Sequence, residues 1–142
     1  MLDSKGFRSV VHGLEKNNEE FITALERIIR LGVNLINNNE ELREEIIEYD
    51  DIYQISITDI NYHFWIKISN GTIMYKNGIN REALFRVRYH KDIFIKIFRE
   101  MSGTDAYMKG KIQVDGDLTQ GLRFIKLFRM LIKYINNGIK IS

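Results

Sequence analysis

Residues 62–76 read YHFWIKISNGTIMYK, and this stretch predicts a β-hairpin. Apolar and polar side chains alternate over residues 62–69, which is typical of a strand with one buried face. Asn70-Gly71 follows directly and favours a two-residue type I′ turn, because both central residues of that turn need a positive φ. Residues 72–76 then supply the returning strand.

Alternation of period two also occurs on both sides of the hairpin. In residues 53–57, Tyr53, Ile55 and Ile57 alternate with polar residues. Residues 84–89 alternate in the same way, after a second turn signal at Asn77-Gly78. We therefore expect four strands that form an antiparallel meander.

Helical periodicity surrounds these strands. Residues 17–48 predict two helices, capped by Asn17 and Asn39. An amphipathic helix is predicted over residues 92–101. A short fifth strand follows at residues 110–115, and Asp117 caps a final helix over residues 118–134. The order of elements indicates an α+β domain.

The final helix carries more apolar surface than one packing face needs. Its first apolar stripe contains Leu122, Ile125, Phe128 and Ile132. A second stripe beside it contains Phe124, Leu127, Leu131 and Tyr134. A surface helix buries an arc of about 100°, so we expect something besides an ordinary core to cover the excess.

Composition limits the class of protein. The chain has 142 residues, 44% of them hydrophobic and 28% charged, with no cysteine. We expect one globular domain without disulfides or thiolate metal sites. The N-terminal residues lack the apolar core of a signal peptide, which favours a cytoplasmic location. Residues 1–50 carry 6 basic and 11 acidic side chains, whereas residues 51–142 carry 15 and 8.

The residues that usually carry catalysis or bind metal form no recognisable pattern. His12, His63 and His90 lie far apart in the sequence and have no spaced partners that would indicate zinc. Nucleophile elbows, P-loops and dinucleotide-binding motifs are absent from the sequence. A turn and a helix cap explain residues 115–117 without calcium. We expect a protein that is not an enzyme and has no catalytic residues, no metal and no cofactor.

Nucleic acid is not an expected partner. Arg86 and Arg88 could form a basic surface, but the neighbouring aromatic residues alternate onto the other face of the strand. Base stacking and phosphate contact would then not coincide.

Three features in order resemble the sterol-carrier-protein-type-2 (SCP2-like) lipid-binding domain family. The first is Trp65-Ile66-Lys67-Ile68 before Asn70-Gly71, and the second is Asp92-Ile93-Phe94 at the start of a helix. The most specific is GKIQVDGD at residues 110–117, which is similar to the strand and turn of that family. The resembling stretch covers residues 52–134.

The resemblance implies a five-stranded, mostly antiparallel sheet covered by amphipathic helices that enclose a hydrophobic cavity. It implies a non-catalytic domain that sequesters a fatty acyl or isoprenoid-like ligand, with the helices at 92–101 and 118–134 beside it. The chain lacks a C-terminal peroxisomal address, which puts sterol transfer in doubt. The expected ligand-binding residues are Trp65, Phe85, Phe94, Ile97, Phe98, Met101, Met108, Leu122, Ile125, Phe128 and Ile132.

Arg123, Lys126 and Lys133 are the expected contacts to an anionic membrane or a lipid head group. The partner would be a lipid or fatty-acid-like molecule, with transient membrane contact and a homodimer as further possibilities. The alternative is a protein–protein interaction or dimerisation module that uses Phe124 and Leu131. A hot-dog thioesterase is disfavoured, because that fold places a long helix early among its strands.

The expected domain organisation is a loosely ordered N-terminus at residues 1–16 and a single domain over residues 17–142. Within that domain, residues 17–48 form the N-terminal helices and residues 52–134 the family-like core.

Overall fold

The computed structural model describes the backbone of residues 12–100 and 112–141, and the side chains of residues 12–96, 112–131, 133 and 134. These residues form an α+β fold, as the sequence predicts. The helices are α1 (Asn18–Asn37), α2 (Glu40–Glu45), α3 (Lys91–Glu100) and α4 (Leu118–Ile141). The strands are β1 (Asp51–Ile57), β2 (Tyr62–Ser69), β3 (Thr72–Asn77), β4 (Phe85–Tyr89) and β5 (Ile112–Gly116).

The five strands form one sheet in the order β3-β2-β1-β4-β5. Three neighbouring pairs are antiparallel, whereas β1 and β4 are parallel. The sheet is therefore mostly antiparallel, as expected, but the prediction of a four-strand antiparallel meander is wrong. After β3 the chain crosses to the free edge of β1, where β4 pairs with it.

The crossing loop is held by Gln54, a buried polar residue in the middle of β1. Its side-chain amide donates hydrogen bonds to the carbonyl oxygens of Phe64 and Gly78, at 3.0 and 3.1 Å. Its Oε1 accepts a hydrogen bond of 2.7 Å from the backbone N–H of Asn80. A polar side chain that is 4% exposed needs such partners. The crossing thus depends on a residue that lies more than twenty positions earlier in the chain.

Local signals in the sequence are confirmed where they concern turns and caps. Asn70 and Gly71 have φ values of 53° and 72°, as a type I′ turn requires. The side-chain oxygens of Asn17, Asn39 and Asp117 accept backbone N–H groups at 2.9, 3.1 and 2.9 Å, each three residues ahead. These interactions start α1, α2 and α4 at the expected places.

Two boundaries differ from the expected ones. Helix α4 continues past residue 134 to Ile141. In the region expected to be loosely ordered, residues 12–16 form a turn, and Leu14 is only 1% exposed because it joins the core. Residues 1–11 of that region lie outside the described residues.

The core lies on one face of the sheet, under α1, α3 and α4. Tyr53, Ile55 and Ile57 of β1 and Phe85 and Val87 of β4 are all at most 3% exposed. The intervening side chains point to the opposite face, since side chains alternate along a strand. The helices therefore cover the face on which the alternate apolar residues lie.

The opposite face carries Trp65 together with Arg86. Trp65 pairs with Gln54, and Gln54 pairs with Arg86, so the three side chains share one face. We predicted that the aromatic residues near Arg86 lie on the other face of the sheet. This prediction is correct for Phe85 and wrong for Trp65. Whether Trp65 shares a face with Arg86 depends on the strand order, which the sequence pattern did not reveal.

A buried ion pair attaches α4 to the sheet. The side chain of Asp51, at the start of β1, is fully buried. Arg123 donates to both carboxylate oxygens, from Nε at 2.7 Å and from Nη2 at 2.8 Å. The hydroxyl of Tyr53 donates a third hydrogen bond of 2.7 Å. This bidentate contact raises the pKa of Arg123, and it fixes the rotation of α4 about its own axis.

The turn before α4 requires glycine. Gly116 has φ +109°, a conformation that residues with a side chain rarely adopt, and a Cβ there would collide with the carbonyl oxygen of Leu84. The backbone N–H of Asp117 donates to that same oxygen at 2.7 Å. The close approach of the two backbones thus places the first turn of α4 against the start of β4.

We expect Arg123→Gln to lower the free energy of unfolding by roughly 3 kcal/mol, because it leaves the Asp51 carboxylate buried without its cation. Arg86→Gln is the matched control. Arg86 pairs at 3.0 Å with Asp115, whose side chain is 53% exposed, so its loss should cost less than about 1 kcal/mol. Urea denaturation followed by circular dichroism measures both. Equal losses would show that the buried pair does not anchor α4.

The glycine before α4 has its own matched test. Gly78 has φ +110° and nothing within 4 Å of a Cβ built on it. Gly78→Ala should therefore cost only backbone strain, about 1 to 3 kcal/mol. Gly116→Ala adds the collision with Leu84 to the same strain and should cost clearly more. The same denaturation experiment compares them, and a smaller loss for Gly116→Ala would contradict the close approach.

Candidate functional site

An apolar cavity of about 100 Å³ lies between the covered face of the sheet and helices α1, α3 and α4. Every element except α2 and β5 contributes to its wall within the described residues. The lining residues are Leu25, Ile28, Ile29, Gly32, Val33, Ile55, Phe64, Ile66, Ile73, Tyr89, Phe94, Phe124, Phe128 and Leu131.

The periodicity of each helix and strand explains which of its residues line the cavity. Helix α1 contributes residues 25, 28, 29, 32 and 33, one stripe at helical spacing. Phe64 and Ile66 of β2 are two apart and therefore share a face of the sheet. Gly32 lets α1 and α4 approach closely at the wall, because even a Cβ built on it would already be in van der Waals contact with Cδ1 of Leu131, at 3.5 Å. A side chain longer than a methyl group at residue 32 would extend toward α4.

Aromatic rings form two ends of the site. Phe94 of α3 packs edge-on against Phe21 and Tyr89, with ring centroids 6.0 and 5.4 Å apart. Phe124 of α4 packs against Tyr53 and Phe85 at 5.1 and 5.7 Å. Phe124 also stacks on Phe128 at 6.4 Å, nearer the cavity. These rigid contacts fix α3 and the first half of α4 on the sheet.

The electrostatics of the wall favour an uncharged occupant. The described lining residues carry no charge, and Tyr89 supplies their single hydroxyl group. Burial raises the pKa of Tyr89, so its phenol stays neutral. Burying a charge against such a wall would cost several kcal/mol without a partner. What this arrangement can hold is therefore a hydrocarbon chain or ring.

The structure brings some of the expected ligand-binding residues to the cavity and places others elsewhere. Phe94 and Phe128 line it. Phe85 lies behind Phe124, and Trp65 is on the other face of the sheet, because it alternates with Phe64 and Ile66. Leu122 is 66% exposed and does not line the cavity, and neither does the half-buried Ile125. The side chains of Ile97, Phe98, Met101, Met108 and Ile132 lie outside the described residues.

The three residues expected to contact a lipid head group also differ in their surroundings. Arg123 donates from Nε and Nη2 to the buried Asp51, so it has a structural role in attaching α4 to the sheet. Its Cζ also lies 5.7 Å from the ring centroid of Tyr49. Lys126 and Lys133 are exposed on α4. This difference could not be predicted from local sequence patterns, because Asp51 lies 72 positions before Arg123.

Sequence reasoning missed two groups of lining residues. The first is the stripe on α1, where the sequence predicts a helix but does not indicate that this helix borders a cavity. The second is Phe124 and Leu131, which were offered as a dimer interface and in fact face the cavity. The two apolar stripes of α4 had no distinguishing composition. No local signal separates them, because the partner that orients the helix, Asp51, lies 72 positions before Arg123.

Polar side chains gather on the face of the sheet away from the cavity. His63 Nε2 lies 2.9 Å from Oδ1 of Asn61, and Nδ1 lies 2.7 Å from Oγ of Ser56. Since the amide oxygen only accepts, Nε2 donates to Asn61. In the described part of the chain, no three His, Asp or Glu side chains are placed to hold a metal ion. None of the described helices has a stretch long and apolar enough to cross a bilayer.

Residues 33–129 match the model of the SCP-2 sterol transfer family. The chain belongs to this family. The match begins in α1 and ends in α4, so it includes the whole sheet and most of the cavity wall. Membership agrees with the family resemblance that residues 52–134 show in the sequence. No curated protein matches the chain by sequence.

Solved structures share the fold at low sequence identity. The UbiJ-SCP2 ubiquinone synthesis protein is 14% identical with a TM-score of 0.60, over 81% of this chain and 99% of that one. The apo form of sterol carrier protein 2 from Yarrowia lipolytica is 14% identical with a TM-score of 0.59, over 80% and 94%. A variant of the sec-alkyl sulfatase PisA1 is 17% identical with a TM-score of 0.58, over 81% of this chain. The chain spans only 17% of the length of that sulfatase. These similarities concern the fold alone.

Proposed function

We propose that this SCP-2 family chain is a non-catalytic carrier that binds one fatty acyl or isoprenoid-like chain in the cavity between the sheet and α4. The wall of that cavity, which carries no charge and is apolar apart from the hydroxyl of Tyr89, is the observation that carries the proposal. Sterol carrier protein 2 and the ubiquinone synthesis protein are named for sterol and for ubiquinone. Both molecules are largely hydrocarbon, as the wall of this cavity would require.

The ligand has to widen the cavity. Ligand pockets usually have volumes of about 300 to 1,000 Å³, whereas this one measures about 100 Å³. The second half of α4 is the wall that moves. Among the described residues of this half, Tyr134 is tied to the rest of the protein by a hydrogen bond of 2.7 Å that its hydroxyl accepts from Asn39 Nδ2. Losing that bond costs about 1 kcal/mol, and burying each methylene contributes about 0.8 kcal/mol, so a few methylenes offset it.

The first half of α4 stays in place while the second half moves. Arg123 is bound to the buried Asp51, and Phe124 packs against Tyr53 and Phe85. Beyond this anchor, Phe128 and Leu131 face the cavity. Displacing these two side chains enlarges the site without breaking the ion pair. The lipid chain then runs between α1 and α4, with its polar end toward solvent.

Purified protein tests the proposal directly. Organic extraction followed by mass spectrometry is expected to recover a lipid with a long hydrocarbon chain. The purified protein is also expected to raise the fluorescence of an added fluorescent fatty acid, because the probe enters an apolar site. A protein that yields no lipid and leaves the fluorescent fatty acid in water would contradict the proposal.

Gly32→Leu should weaken binding of a sixteen-carbon fatty acid roughly tenfold or more, because the new side chain fills space that the ligand needs. Displacement of the fluorescent fatty acid measures the affinity. Asn34→Leu makes the same change on the exposed side of α1 and should leave the affinity unchanged. Thermal unfolding checks that both variants fold. Wild-type affinity in a folded Gly32→Leu protein would exclude the cavity as the binding site.

A further inference from the structure

Three exposed leucines surround the start of α4. Leu84, Leu118 and Leu122 are 58%, 71% and 66% exposed, among the largest values for apolar side chains in the described residues. Leu118 and Leu122 are one turn apart on α4 and therefore on one side of it. Leu84 joins them because its carbonyl oxygen accepts the N–H of Asp117. We call these three residues the leucine tip.

The same side of α4 becomes basic beyond the leucine tip. Lys126 follows Leu122 at the next helical turn, and Lys133 lies two turns further on the same side. Both lysines are exposed. Apolar area that can be buried and lysines that attract anionic lipids are the two contributions that hold a helix at a membrane surface, and this side of α4 offers both.

Two carboxylates in the turn before α4 are engaged. Asp115 pairs with Arg86 at 3.0 Å. Asp117 accepts the backbone N–H of Gln120 at 2.9 Å, in the first turn of α4, where the partial positive charge of a helix lies. Glu82, two residues before Leu84, is exposed. The positive charge therefore lies on α4 itself, on the side that carries the exposed Leu118 and Leu122.

The opposite side of α4 is the cavity wall. Phe128 and Leu131 face the cavity, while Leu122 and Lys126 of the same helix face solvent. A single helix thus separates the cavity from whatever binds the leucine tip. A lipid that passes between a bilayer and the cavity has to move only this one element.

We propose that the leucine tip with Lys126 and Lys133 is a docking surface for anionic membranes. The leucines enter the boundary between head groups and acyl chains, and the lysines contact anionic head groups. The biological role of this surface rests on the proposed carrier function. The test of membrane binding does not depend on that function. Lysine is depleted in protein–protein interfaces, which favour aromatic residues and arginine. The composition therefore fits a membrane better than a protein partner.

Vesicle sedimentation tests the surface with the full chain. Wild-type protein is expected to bind vesicles of three parts phosphatidylcholine to one part phosphatidylglycerol, and to bind pure phosphatidylcholine weakly. Leu118→Ser with Leu122→Ser should reduce binding to the anionic vesicles roughly tenfold or more. Lys126→Glu with Lys133→Glu should remove the preference for anionic vesicles. Met74→Ser with Ile79→Ser, at exposed apolar residues outside α4, should change nothing.

The outcomes separate docking from lipid binding. The double serine variant at the leucine tip should bind the fluorescent fatty acid in vesicle-free solution as the wild type does. If the wild type ignores fatty acids but binds vesicles through the leucines, the carrier function fails and the docking surface stands. Wild-type vesicle binding by the double serine variant would overturn the docking surface. The docking surface would also be overturned if the wild type did not bind vesicles and instead formed a dimer in sedimentation equilibrium, with the double serine variant remaining monomeric.

Discussion

The fully buried carboxylate of Asp51 is paired with the guanidinium of Arg123, and this pair determines how α4 lies on the sheet. A guanidinium that reaches both carboxylate oxygens has little freedom to rotate. Arg123 is held over the start of β1. One neighbouring side of the helix therefore turns toward the sheet, and it carries Phe124, Leu127 and Leu131. Leu118 and Leu122 turn toward solvent.

The cavity is a consequence of this rotation. Helix α4 is held tightly at its first half by the ion pair and by the contacts of Phe124, and its second half spans the gap to α1. Gly32 lets the two helices approach each other there, since a Cβ at that position would already touch Leu131 at 3.5 Å. Among the described side chains of the second half, Tyr134 is tied to Asn39 by a hydrogen bond. The strong attachment of the first half thus positions the apolar side chains of Phe128 and Leu131 over the cavity.

The sequence predicted features that depend on neighbouring residues. The Asn70-Gly71 turn, the three side-chain caps and the change from period two to helical periodicity could be found because φ preferences and capping hydrogen bonds act over a few positions. The place of β4 could not be found in this way. It depends on Gln54, which binds the crossing loop from another strand. Of the expected lining residues, Phe94 and Phe128 could be identified because their helices are strongly amphipathic. The inward stripe of α4 could not, because both stripes are equally apolar.

The sequence by itself therefore determined the class of fold, the positions of most elements and the presence of more apolar helix surface than a simple core requires. These properties follow from the periodicity and backbone preferences of short segments. The tertiary structure alone decided the strand order, the role of Arg123 and the side of α4 that lines the cavity. Each of these depends on a partner far away in the chain, as Asp51 is from Arg123, and no local pattern of side chains specifies which distant group a residue will meet.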